Sequence, residues 1–315
     1  MARYILQRLA GLIPVIVGLS LIVFLLMAMI PGNPAQALLG AYATPENVAR
    51  ISQELGLDKP LWQQYLIWVN NLLHGDFGRS YVLNRPVIDE VLERFSATLL
   101  LGGCALLLSV VLGLLAGVAS AVRQFGWGDR IITLLVLLGI SLPSFLIGLL
   151  MIMLFAVSLR WFPASGMLAV YGGGGITDLL HHLVMPTVAL ALVATGVIAR
   201  LTRTAMLEVL RQDYIRTARA KGLSERRVVW RHAFRVALVA VIPAIGIQAG
   251  FVLGGAVYIE TVFQWPGLGA MLVKAVSTRD LLLVQGGVLI AAVAYVLINL
   301  VTDIVQAWLD PRIKS

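Results

Sequence analysis

The 315 residues are 59% hydrophobic and only 13% charged, with a mean hydropathy of +0.91. A soluble domain carries about 25% charged residues, so this composition excludes a water-soluble globular fold and predicts lipid as the solvent. The net charge of +8 lies in gaps between apolar runs, a pattern that argues against a nucleic-acid-binding face and fits the loops of a membrane protein.

Six runs approach the roughly 20 apolar residues needed to cross a hydrocarbon core. In chain order they are Leu9–Ile30, Ser96–Val122, Ile131–Leu159, Leu183–Ala199, Val236–Ile259 and Leu281–Thr302. None contains Lys, Arg, Asp or Glu, and the fourth is the shortest. The first run, behind Arg3 and Arg8, is longer than a signal-peptide core. Pro31-Gly32-Asn33-Pro34 also separates it from the cleavage-like Ala35-Gln36-Ala37, so it reads as a retained helix. Pro143, Pro186 and Pro243 fall inside spans, where neighbouring helices can satisfy the freed carbonyls. The lone Cys104 reads as a small buried hydrophobe and excludes an intrachain disulfide.

The organisation predicted is all-α and polytopic, in three parts. Residues 1–30 form the first membrane helix, 31–95 a small helical cap, and 96–315 a five-helix core with a long loop at 200–235. Within the cap, Thr44 is placed to cap a helix from Pro45, and Leu57-Asp58-Lys59-Pro60 to break it. A second helix over about 61–74 should present Trp62, Tyr65, Leu66, Val69 and Leu73 on one face. Gly75-Asp76-Phe77-Gly78 is a turn, and Val87–Phe95 a third short helix leading into the second span. Gly172–Gly175 reads as a flexible outer loop; no Lys-Ser/Thr follows it to cradle phosphate.

Loop charge sets the direction. With the N-terminus inside, 16 of the 24 Lys and Arg residues lie in the inner pieces 1–8, 123–130, 200–235 and 303–315. Both termini are therefore expected in the cytoplasm. Trp127, Trp161, Trp265 and Trp308 lie near predicted span ends, where an amphipathic ring prefers the interface.

Inside the spans, Gly246, Gly250 and Gly254 recur every four residues, and Gly113 and Gly117 share that spacing. Such small-residue faces permit close helix contact. Ser141, Ser144, Thr195, Gln248 and Asn299 are the polar candidates for a translocation path, although interhelical hydrogen bonds explain each equally well. No acid or base lies within the runs, and Asp303 sits only at an inner end. An ion-coupled carrier or channel usually carries such a group, so external energy fits better. His181-His182 lacks a clear third metal ligand and reads as structural. Ser141, Ser144, Ser165, His181 and His182 form no recognisable hydrolase constellation. The chain has no GxxxxGK[ST] loop, so it is not itself an ATPase.

The most informative stretch is Asp213-Tyr214-Ile215-Arg216-Thr217-Ala218-Arg219-Ala220-Lys221-Gly222-Leu223-Ser224. It predicts a short amphipathic helix over 213–221 with Tyr214, Ala218 and Lys221 on one face. Small Ala218 and Ala220 would let another surface approach. Gly222 can take the left-handed conformation that ends a helix, and Ser224 can cap the next one. A basic inner loop with some affinity for anionic lipid would account for the arginines, but not for this helix–Gly–cap–helix order.

This loop resembles the coupling loop of ATP-binding cassette (ABC) importer permeases, whose loose pattern is Glu-Ala-Ala, three residues, then Gly. Ala218 and Gly222 match it, while Arg216 and Thr217 stand where Glu and the first Ala would be. The form from Tyr214 to Gly222 is similar to the dipeptide/oligopeptide branch. So are Pro31–Pro34, Leu55–Leu61, Gly75–Ser80 and Ser141–Phe145. The run Glu260-Thr261-Val262-Phe263-Gln264-Trp265-Pro266-Gly267-Leu268-Gly269 resembles the first of the two permeases of such systems, with Glu260, Phe263, Trp265, Pro266, Gly267 and Gly269 in an outer loop. The resemblance implies a type I ABC importer permease in a bacterial or archaeal inner membrane. It implies a second permease, two cytoplasmic ATPases that bind ATP and Mg, and an external solute-binding protein, with no cofactor in this chain. It also implies that 213–223 docks in a groove of one ATPase. Peptides are the expected cargo, and glutathione, nickel chelates or opines are the alternatives within the branch.

Overall fold

The computed structural model describes residues 2–29, 36, 43–54, 56–80, 82–169 and 174–309. The Pro31–Pro34 motif, Leu55, Gly172, Gly173 and the last residues, 310–315, lie outside them. No strand occurs among the described residues, apart from one isolated antiparallel bridge between Arg79 and Pro86. The helices are α1 (Ala2–Met29), α2 (Pro45–Glu54), α3 (Leu61–Leu73), α4 (Val87–Val122), α5 (Trp127–Ser141) and α6 (Ser144–Ser158). They continue as α7 (Ile176–Leu210), α8 (Asp213–Ala220), α9 (Glu225–Val262), α10 (Leu268–Ser277) and α11 (Leu281–Leu309).

Five of these helices are long and apolar enough to cross a membrane, and α5 with α6 makes a sixth span if the bent pair is counted as one. That pair corrects the expectation of a continuous third span, because the two halves meet at 105°. Pro143 has no N–H for the Gly139 carbonyl, and its ring drives the preceding residue out of the helical region. Leu142 is accordingly extended (φ −93°, ψ 132°), and Pro143 stands outside α6, just before its first turn. Pro14, Pro186 and Pro243 remain inside unbroken helices. Residues 87–95 are likewise the first turns of α4 and not a separate helix.

The chain divides into two compact units, one built mainly from Thr98–Pro266 with Leu297 onward, the other from Leu6–Ala97 with Gly267–Val296. In the first, α7 is the central element, packed by α5, α6 and α9. Of its most apolar window, 67% is buried in protein, against 28% for α4. This explains why the fourth apolar run is short. A helix sheathed by other helices need not be uniformly apolar, and its 35 residues reach about 52 Å, beyond a core of about 30 Å. A continuous apolar core joins Val118, Ile198, Met206, Ile215, Val228 and Val241.

In the second unit, Val87 and Val91 pack with Leu268, Met271, Leu283 and Val284. Thr44 accepts the Asn47 N–H at 3.3 Å, which starts α2 as the sequence predicts. The inward residues of α3 differ from the expectation. Tyr65 and Trp68 pack on Phe24 of α1, and the Tyr65 hydroxyl meets Ser20 at 2.8 Å. Trp62, Leu66 and Leu73 are exposed. Of the expected face, Tyr65 and Val69 are half-buried, and Trp68 takes the place of Trp62 against Phe24.

Candidate functional site

The segment α7–α8–α9 lies wholly within the first unit. Only Arg211 and Gln212 join α7 to α8. Gln212 is extended (φ −71°, ψ 149°), and its carbonyl takes the Ile215 and Arg216 N–H groups, so α8 starts without a side-chain cap. It ends as the sequence predicts. Gly222 has φ +77°, its N–H donates to the Arg219 carbonyl, and the Leu223 N–H reaches back to the Ala218 carbonyl. This is a Schellman closure, in which a left-handed residue carries the reversal. Ser224 stands at the start of α9 with extended backbone, but its hydroxyl makes no cap hydrogen bond; its carbonyl accepts from Arg227 and Val228.

The buried face of α8 is Ile215 and Ala218, both part of the apolar core, with half-buried Leu223 beside them. This corrects the expected face of Tyr214, Ala218 and Lys221, and it removes Ala218 from the outer surface. Ile215 is the largest aliphatic side chain on the helix, and burying it stabilises by about 1.5–3 kcal/mol, which sets the rotation. Asp213, Arg216, Thr217 and Ala220 occupy the opposite face and are exposed, as are Tyr214, Arg219 and Lys221. Arg219 makes a forked pair with Glu225 (2.6 and 3.1 Å), which staples α8 to the start of α9 and raises the guanidinium pKa above its ordinary value. Arg216 and Asp213 approach at 3.5 Å, but both are so exposed that solvent screens the pair.

One end of α7 is anchored by a polar cluster that no local sequence pattern marks. Asp129 of α5 is buried, accepts from the Ser120 hydroxyl, and takes both Arg203 Nε and Nη2 at 3.0 Å. The Phe125 N–H, with Phe125 at positive φ, donates to it at 3.0 Å. The apolar windows are thus charge-free, but the helices that contain them are not. Glu260 is also fully buried and accepts from the Thr98 hydroxyl at 2.6 Å. In the second unit, Asp280 accepts from Ser80 and from the Leu283 N–H, while Glu90 is held between Arg85 and Arg94.

Of the polar path candidates, the structure brings two together. Ser144 and Gln248 line one cavity of about 300 Å³, walled otherwise by Leu190, Val193, Val197 and Phe251. Ser141 is exposed at the end of α5, and Asn299 is half-buried on α11. The Thr195 hydroxyl is buried without a hydrogen-bond partner among the described residues.

The glycines separate in the same way. A Cβ on Gly113 would meet Ile198 at 2.8 Å, one on Gly117 would meet Thr202 at 2.5 Å, and one on Gly246 would overlap Thr302. Gly254 is exposed with nothing within 4 Å, and Gly250 is half-buried, so the three glycines of α9 do not form one contact face.

In the run after α9, Phe263 packs on Gly148 and its carbonyl accepts from Gly166 at 2.8 Å. Trp265 is fully buried, its backbone N–H donating to the Glu260 carbonyl at 2.8 Å, which corrects its placement among interface rings. Trp127, Trp161 and Trp308 are exposed. Gly267 begins α10, its carbonyl taking the Met271 N–H, and Gly269 is buried. His181 donates to the Trp161 carbonyl and His182 to the Asp178 carbonyl, so each has a structural partner.

Residues 109–315 match the family described as binding-protein-dependent transport system inner membrane component, and residues 1–102 its N-terminal counterpart. The glutathione transport system permease protein GsiC of Escherichia coli (strain K12) is 40% identical over all of this chain and 99% of its own length. The dipeptide transport system permease protein DppB of Alkalihalophilus pseudofirmus is 38% identical over the whole of both chains. Among solved structures, the inward-facing MetNI methionine ABC transporter aligns over 70% of this chain and 96% of its own, with TM-score 0.55 at 19% identity. That likeness establishes the fold.

Proposed function

The chain belongs to the binding-protein-dependent inner-membrane permeases of ABC importers, and from that premise we propose that it carries peptides, driven through α8 by a separate ATPase. Its partners in this reading are a second permease, two cytoplasmic ATPase subunits that hold ATP and Mg, and an external solute-binding protein. Both termini and the 200–235 loop face the cytoplasm. The observation that carries the reading is the division of α8. Ile215 and Ala218 seat it on its own chain, and an outward face of Asp213, Arg216, Thr217 and Ala220 is left for another protein. A dipeptide and glutathione, itself a tripeptide, share a peptide backbone and charged ends, so the two named relatives support one cargo class. The cavity holding Ser144 and Gln248 is the proposed wall of the path. It offers neutral hydrogen-bonding groups in an apolar lining, which suits cargo whose side chains vary.

The test uses vesicles with the complete transporter and its binding protein. ATP should drive accumulation of a labelled dipeptide, and unlabelled glutathione should show by competition whether it shares the path. Ala220→Trp, on the outward face, should abolish uptake while the thermal midpoint of the purified complex stays unchanged. Normal transport by that variant would remove the docking role of α8. Failure to accumulate either compound would remove the peptide assignment.

A further inference from the structure

At the start of α9, five side chains line one cavity of about 420 Å³: Ser224, Arg226, Arg227, Trp230 and Arg231. The three arginines are exposed and form no ion pair among the described residues. The nearest acid in sequence, Glu225, is engaged by Arg219 at 2.6 Å and does not neutralise them. The indole of Trp230 lies among these cations, stacked edge-on against Phe234 at 5.2 Å, and is itself 41% exposed. Val228 and Val229, from the same turns, are buried in the core. A π-helical stretch, Val228–Ala233, carries Trp230 and Arg231, and Arg226 from the preceding turn lines the same cavity. The helix then enters its apolar window.

We propose that this cavity binds the phosphodiester head of an anionic phospholipid. A phosphate matches the planar donor fork of arginine, which can engage it through two bonds at once. Tryptophan is enriched where headgroups meet acyl chains, and Trp230 stands at the head of an apolar helix. A basic pocket beside an apolar span is the geometry in which such heads are held. A groove for an acidic protein surface would not require a half-exposed indole among its arginines at the head of an apolar helix. The lining residues include none of Asp213, Arg216, Thr217 and Ala220, so different variants test this site and the proposed ATPase contact.

The experiment is native mass spectrometry of the intact transporter from detergent, offered cardiolipin, phosphatidylglycerol or phosphatidylcholine. Adducts of the two anionic lipids should persist at energies that strip phosphatidylcholine. R226Q/R227Q/R231Q together should lower their retention at least about tenfold, since each basic residue contributes measurably to anionic-lipid binding. R123Q/R130Q, basic residues outside the cavity, should leave it unchanged. A second readout is fluorescence: brominated phosphatidylglycerol should quench the wild-type complex more than W230F, and brominated phosphatidylcholine should quench both equally. Equal retention by the triple variant overturns the proposal. So does displacement of the adduct by millimolar inorganic phosphate, which would make the cavity a free-anion site. Loss of the ATPase subunits from the triple variant with lipid retained would assign the arginines to a protein partner instead.

Discussion

Asp129 is buried, and Arg203, Ser120 and the Phe125 N–H all donate to it. Removing a partner from a buried pair leaves a stranded charge, and that loss exceeds what the pair itself contributes. Arg203→Met should therefore destabilise the detergent-solubilised protein by about 3 kcal/mol, while Arg203→Met with Asp129→Asn should recover part of the loss. Thermal unfolding of the two variants measures the difference. Close helix approach gives a second contrast. Gly117→Val should cost about 1–3 kcal/mol through overlap with Thr202, whereas Gly254→Ala should be neutral or slightly stabilising, since nothing lies within 4 Å of its Cβ position. The sequence spacing puts the three glycines of α9 in one class, and the structure divides them. A four-residue period tells which residues share a face, but not whether a neighbour covers that face. The Asp129 cluster was illegible for a related reason. Ser120, Asp129 and Arg203 come from three helices, and pairing between helices leaves no local signature.

At the scale of elements, the ends of α8 were readable and its rotation was not. Gly222 announces a left-handed stop because few other residues tolerate one. The rotation depends on the pocket that receives Ile215, formed with Met206, Val228 and Ala233 from α7 and α9. Ile215→Ala should loosen this seat by about 2–4 kcal/mol, and hydrogen exchange at 213–221 should accelerate while the amides of α7 stay protected. The bend between α5 and α6 was hidden because hydropathy runs unbroken from Ile131 to Leu159. Pro143 alone did not decide the matter. Pro186 and Pro243 sit in helices that stay continuous, so only the extended backbone at Leu142 separates a broken helix from a tolerated proline.

For the whole molecule, composition, span count and fold class were legible because lipid imposes length and apolarity on every crossing helix. Direction across the membrane rests on loop charge, and Cys104 makes it testable. Cys104→Ser removes the only cysteine. In that background, Ser165→Cys should react with an impermeant maleimide added to intact cells, and Arg216→Cys only after the membrane is opened. Both positions are exposed. The reverse pattern would invert the proposed topology. The join between α7 and α8 then matters mechanically. Two residues reach at most about 7 Å even when fully drawn out, and the Gln212 carbonyl already ties this pair to the first turn of α8. A displacement of α8 is therefore expected to be passed to α7, the axle on which α5, α6 and α9 are mounted. In the proposed mechanism this short join would serve as a crank with little slack.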